Sequence, residues 1–197
     1  MAGRLLTALL ALGCLVSTAQ AGSHLAERPD GATLPAWTEF CERLPTECAV
    51  DTAEPEMIKL TEEARELIDA VNRYVNRSIK ALVDQDHWGK IDQWDLPTDG
   101  RGDCEDYQLL KRKFLVEAGL PRRALRMTVV IGRAGEGHAV LTVRTRDTDL
   151  ILDNLTDAIL PWDETGYVFF TRESAYQVGW RFLEIERSAA LLALAAQ

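Results

Sequence analysis

From Thr61 onward the apolar residues Ala64, Leu67, Ile68, Val71, Tyr74, Val75, Ile79 and Leu82 recur at intervals of mostly three or four, the spacing that lines one face of an α-helix. Thr61 offers a hydroxyl suited to an N-cap, and Glu62 and Glu63 behind it favour the positive end of the helix. A long amphipathic helix is therefore expected, with Val71-Asn72-Arg73-Tyr74-Val75-Asn76 read as packing plus a solvated face. A second helical period starts at Cys104: Tyr107, Leu110, Phe114 and Ala118 repeat until Gly119 and Pro121 stop it, and Asp103 is placed to cap the first turn. After Pro121 the period falls to two, which predicts strands over 126–133, 139–145, 150–153 and 167–171. The last stretch, 184–196, reads as a terminal helix. Helices followed by a run of strands describe an α+β domain, N-terminal helices packed on an antiparallel sheet.

The two ends and one interior stretch break this pattern. Residues 1–21 combine Arg4, a short apolar run and Ala19-Gln20-Ala21, which reads as a signal peptide cleaved near Ala21; a lipoprotein reading through Cys14 is weaker, with Ala11 where a leucine is usual. Residues 22–36 are polar with Gly and Pro and are expected to be a mobile arm without core, leaving 37–197 as one domain. Neither apolar end is long enough to predict a transmembrane helix. Residues 84–102 read as a long irregular loop, and loops of that length inside compact domains are usually functional. Within it Trp94 could donate its indole N–H, wall a groove, or pack on the long helix.

Charge and cysteine usage narrow the function. With 22 Lys+Arg against 31 Asp+Glu, nucleic acid is an unfavourable partner. Of the 4 cysteines, Cys14 lies in the signal peptide, and in an oxidising compartment Cys41 and Cys48 form a natural disulfide, with Pro45 breaking any helix between them. Cys104 is left over, and an odd cysteine in an exported protein is a candidate reactive thiol. In the first turn of a helix it would meet unpaired backbone N–H groups and the positive end of the dipole, which favour a thiolate. The alternative is a buried structural cysteine, but Asp103, Glu105 and Asp106 could not follow it unpaired into an apolar interior, so it belongs at a surface or cleft.

Those carboxylates also oppose a thiolate, by about 4 kcal/mol for a pair ~4 Å apart at an effective dielectric near 20. A hard cation, calcium above all, held by Asp103, Glu105 and Asp106 would remove the conflict and fix the turn. The competing reading is a solvated acidic turn paired with Arg101, Lys111 or Arg112. Arg101-Gly102-Asp103 matches a cell-adhesion tripeptide, but three residues carry no weight where they merge into this turn.

A thiol nucleophile needs a base and a group to hold the base. His138 opens the strand Ala139-Val140-Leu141-Thr142-Val143, and Asp153 follows Leu150-Ile151-Leu152. A two-residue turn at Thr145-Arg146 would set them opposite, one at Arg146-Asp147 would make them diagonal neighbours, and a longer four-residue loop would separate them. Taken singly, His138 could be a strand-end histidine bound to backbone and Asp153 a turn carboxylate before Asn154. His24 and His87 lie in the arm and a polar loop, and a zinc site would spend cysteines better paired with each other.

Gly102-Asp103-Cys104-Glu105-Asp106-Tyr107, then Gly137-His138-Ala139-Val140-Leu141, then Leu152-Asp153-Asn154, resembles the bacterial transglutaminase-like cysteine proteases of LapG type, from about Phe40-Cys41 through Trp162 and including Val71-Asn72 with Val75-Asn76 and the Asp92-x-Trp94 segment. The resemblance implies a papain-like, transglutaminase-like core, a Cys104–His138–Asp153 triad, and calcium bound by Asp103, Glu105 and Asp106 together with Tyr107. It further implies a periplasmic, calcium-dependent endopeptidase that clips a large biofilm adhesin near its N-terminus at a di-alanine site, held inactive by an inner-membrane cyclic-di-GMP receptor. The same triad would serve a transglutaminase or amidase acting on glutamine side chains, and a non-catalytic binding module could keep the fold.

Overall fold

The structure, a computed structural model, describes residues 24–184. The signal-peptide expectation, and all of the C-terminal helix expectation beyond Glu184, lie outside these residues. The helices are α1 (Pro35–Arg43), α2 (Pro45–Cys48), α3 (Glu62–Ser78), α4 (Asp84–His87) and α5 (Cys104–Glu117). The strands are β1 (Lys80–Ala81), β2 (Arg101–Gly102), β3 (Leu125–Ile131), β4 (Gly137–Arg144), β5 (Asp149–Leu152), β6 (Leu160–Pro161), β7 (Val168–Glu173) and β8 (Trp180–Phe182). Strands β3 to β8 form one antiparallel sheet in the order β6-β5-β4-β3-β7-β8, and β1 and β2 make a short parallel pair. This is the α+β arrangement the periodicity implied.

Alternation along β4 sends Leu141 and Val143 to a core shared with Phe40, Ile68, Leu109 and Leu115 from the helices. Val140 turns to the opposite face, among Val130, Ile151 and Phe169. Helix α3 begins as expected, with Thr61 Oγ1 accepting the Ala64 N–H at 3.2 Å. It stops at Ser78 rather than running to Leu82, because Ile79 is extended and Lys80 N donates to Gly100 O at 2.9 Å, opening the β1–β2 pair. That pair fixes the chain immediately before Cys104. Cys41 and Cys48 are bridged, with Cα atoms 5.6 Å apart, tying α1 to α2.

The segment expected to carry no core carries some. Leu25 is 5% exposed and sits with Val130, Val140, Ile151, Phe169 and Leu183, while Arg28 N donates to Phe182 O and Glu184 N to Ala26 O along the sheet edge. Its polar residues are paired with the sheet: Glu27 is bound by the buried Arg126 and Arg172, each at 2.7 Å, and His24 Nδ1 lies 3.0 Å from Asp149. Polar composition here marks an ion-pair layer over the sheet, not a solvated tail.

Strands β4 and β5 pair Arg144 with Asp149, and Thr145 N donates to Thr148 O, so the reversal centres on Arg146 and Asp147. Thr145 and Thr148 close the two-residue turn, the Arg146-Asp147 alternative read from the sequence, and its register makes His138 and Asp153 diagonal neighbours. Truncating Leu25 to alanine should lower unfolding free energy by about 2–3 kcal/mol, measured by urea denaturation; an unchanged midpoint would show that the segment contributes nothing to the core.

Candidate active site

Cys104 opens α5 and is half-buried. Asp103 occupies the N-cap position, but its side chain makes no cap bond; it accepts the Asp84 N–H at 3.3 Å instead. Asp106, at the third helical position, accepts the Asp103 N–H and, through Oδ1 at 2.8 Å, the N–H of Asp95. Gly102 is obligatory in this arrangement, since a Cβ there would lie 2.4 Å from Asp106 Oδ2.

The Cys104 thiol donates to Glu105 Oε2 at 3.2 Å and has the backbone N–H of Ala139 beside it. Burial, then the Glu105 charge, push the thiol well above its usual range, with only the Ala139 N–H opposing among the leading influences. The helix N-terminus alone therefore does not favour the thiolate, contrary to the expectation from its position.

Glu105 and Asp106 are buried and Asp103 is half-buried, and further acids gather around them. Asp84 and Asp92 join Asp103, Glu105 and Asp106: ligand oxygens of Asp84, Asp92 and Glu105 lie within 4.8 Å of one another, as do those of Asp84, Asp103 and Asp106. Gln93 N donates to Asp84 Oδ2, closing the loop on the same carboxylate. Burial first, then neighbouring charge, raises Asp84 to about 6, Glu105 to about 10 and Asp106 to about 8.

Asp84 Oδ1 and Asp103 Oδ1 are buried with no hydrogen-bond partner among the described residues. Among the described residues no lysine or arginine bonds to them: Arg112 holds Glu173 at 2.6 Å and Glu47 O at 2.9 Å, Arg101 is exposed, and Lys111 is fully buried in the field of Asp153 and Asp157. Oxygen-only donors with orphaned lone pairs fit a hard metal ion. Tyr107 stands apart, its hydroxyl donating to Ile79 O at 2.7 Å and its ring packed with Val75 and Ile79, so it is not among the residues gathered here.

On β4, His138 Nε2 lies 2.8 Å from Asp153 Oδ1. If Nε2 carries the proton for that bond, Nδ1 is the free acceptor. Asp153 Oδ1 also takes the Leu155 N–H at 3.0 Å, and Oδ2 takes the Tyr167 hydroxyl at 2.6 Å. Burial would raise Asp153, but the bonds from His138, Leu155 and Tyr167 outweigh it and hold the carboxyl below its usual value. Asn154 turns elsewhere, accepting from Gln108 at 3.3 Å. Cys104 meets this pair through Ala139, the residue next to His138.

Of the other candidates, His87 pairs with Asp99 at 2.9 Å and stacks on Trp88. Trp94 is buried edge-on to Trp180 at 5.7 Å, with its indole on Asp92, so it neither packs on the long helix alone nor walls an open groove. Asp84 had no mark in the sequence beyond acidity in a long loop before the cysteine, and Asp92 fell within the resemblance without a role assigned to it.

The family model described as bacterial transglutaminase-like cysteine proteinase BTLCP matches residues 30–188. Among solved structures, calcium-bound Legionella pneumophila LapG is 27% identical with a TM-score of 0.52, over 60% of this chain and 68% of that one. A second Legionella pneumophila LapG structure is 25% identical with a TM-score of 0.51, over 68% and 77%. An EGTA-treated form, 23% identical at a TM-score of 0.50, shares the fold. No curated protein sequence matches significantly.

Carboxylates whose pKa values are raised by folding bind more protons folded than unfolded, so stability falls as pH climbs through that window. With Asp84 at about 6 and Asp106 at about 8, chelator-treated protein should lose thermal stability between about pH 5 and about pH 8. Asp149, held at about 2, acts in the opposite sense only at lower pH. Differential scanning calorimetry across that range checks this; a midpoint that rises steadily would contradict the raised values.

Proposed function

The chain belongs to the bacterial transglutaminase-like cysteine proteinases and is a cysteine peptidase acting on protein, and within that class we propose that Cys104 is the nucleophile, His138 its base and Asp153 the group that orients the base. The observation carrying this is the 2.8 Å His138–Asp153 pair set one residue from the Ala139 N–H that meets the thiol. Transfer of the thiol proton to His138 Nδ1 leaves a thiolate to attack the peptide carbonyl. The imidazolium then returns the proton to the departing amine, and a water, deprotonated by the same histidine, releases the acyl group from sulfur. Asp153 stays ionised throughout, holding Nε2 and stabilising the transient imidazolium.

We assign Asp84, Asp92, Asp103, Glu105 and Asp106 as the residues that would hold calcium, the ion carried by the LapG structure of Legionella pneumophila. Calcium bound there supplies positive charge that offsets the acidic cluster beside the thiol and braces the turn. Several carboxylates select calcium over magnesium, which keeps more of its water.

The likeness to LapG supports a finer reading. We place the protein in the periplasm after export, cleaving a large surface adhesin near its N-terminus at a di-alanine site, with an inner-membrane cyclic-di-GMP receptor as its regulatory partner. No helix among the described residues is long and apolar enough to cross a membrane. Incubation with exported proteins of the source organism, followed by sequencing of new termini, tests substrate and reaction together: new N-termini support peptidase action, while crosslinks or deamidated glutamines without cleavage would point to the transglutaminase or amidase.

Cys104→Ala should abolish turnover with the fold intact by circular dichroism, and Asp153→Asn should slow turnover by on the order of a thousandfold. Hydrolysis at the normal rate by Cys104→Ala would remove the nucleophile assignment. Chelation should suppress both turnover and iodoacetamide labelling of Cys104, with calcium restoring both; labelling that proceeds undiminished in chelator would sink the calcium assignment.

A further inference from the structure

The side chains that hold Asp153 come from distant parts of the chain. Asp153 Oδ2 accepts the Tyr167 hydroxyl at 2.6 Å from the turn leading into β7, and the Tyr167 ring lies 5.7 Å from the His138 ring. From α3, Asn76 Nδ2 reaches Asp153 O at 3.0 Å, Thr156 O at 3.1 Å and Asp157 Oδ1 at 3.0 Å. One turn earlier on that helix, the fully buried Asn72 donates to Asp157 O at 3.2 Å. One side chain thus fixes the carboxylate and the others fix the backbone that carries it.

We propose that Tyr167 and Asn76 are positioning residues that keep Asp153 turned onto His138, an inference that rests on the triad reading above. A carboxylate with one oxygen on an imidazole can rotate about its terminal torsion and release that bond; a second donor on the other oxygen removes the freedom. Tyr167 supplies that donor, and hydrogen bonds from a hydroxyl to an ionised carboxylate are short and strong. Asn76 acts one bond further back. β5 ends at Leu152, so no strand pairing holds Asp153, and α3 supplies the anchor instead. Both residues act through Asp153 and neither touches the reacting atoms.

Tyr167→Phe removes the hydroxyl and leaves the ring beside His138. In nitrogen-15-labelled protein with calcium present, the ring nitrogen shifts of His138 should move relative to the unaltered chain, and kcat on a cleaved peptide should fall about tenfold while KM stays within about twofold. Asn76→Ala should give the same pair of changes, and it carries the test should Tyr167→Phe fold poorly. Unmoved His138 shifts, or an unmoved kcat, in folded variants would overturn the proposal, as would a loss confined to KM. Should the unaltered chain cleave nothing, the triad reading fails on its own account, whereas the His138 shifts need no substrate and still report whether Tyr167 and Asn76 hold the pair.

Discussion

A cluster of five carboxylates, two of them beside the Cys104 thiol, sets the terms for this part of the molecule. Asp84, Asp103 and Asp106 each take a backbone N–H from the segment before α5 or from the N-terminus of α4, through Gln93, Asp84 and Asp95. The long stretch from 84 to 102 is thus folded around its own acids. Such burial is unfavourable for charges of one sign, as the raised values of Glu105 and Asp106 express, unless a cation joins them. Burial, and after it the charge of Glu105, pushes the Cys104 thiol above its usual range. One added positive charge would therefore offset the like-charge repulsion among the acids and favour the thiolate of Cys104.

The basic half of the site obeys a different constraint. His138 and Asp153 meet because the β4–β5 ladder runs through Leu141 with Leu152 and Arg144 with Asp149. A slip of one residue would send Asp153 to the helix-facing side, where Leu152 now packs. The buried apolar set on both faces of these strands forbids that slip. The register that joins His138 to Asp153 is in this sense a by-product of core packing, and the bonds from Tyr167 and Asn76 add to it.

Periodicity made the framework legible: the N-cap at Thr61, the α5 start at Cys104, and the four principal strands lie close to where alternation and turn residues put them. The Cys41–Cys48 bridge followed from counting cysteines in a chain read as exported. What could not be read were pairings between remote polar residues. Glu27 looks like tail composition until Arg126 and Arg172 arrive from β3 and β7. Asn72 and Asn76 look like a solvated helix face until the 153–157 turn docks on them. Asp84 and Asp92 look like loop solubility until the loop closes on Cys104. Hydrophobic pattern records which face is buried, but it is silent on what a buried polar group is bonded to.

Helix α5 packs on the sheet through Leu109 and Leu115, and at its first turn the Cys104 thiol lies beside the Ala139 N–H of β4. Everything the cation would stabilise lies on the α4–α5 side, and no residue of the acidic cluster bonds to His138 or Asp153. The sheet, its hairpin and the α3 brace are built from hydrogen bonds that do not involve those acids. A cation bound on the acidic side would therefore act on the Cys104 thiol without displacing a hydrogen bond of the His138–Asp153 pair.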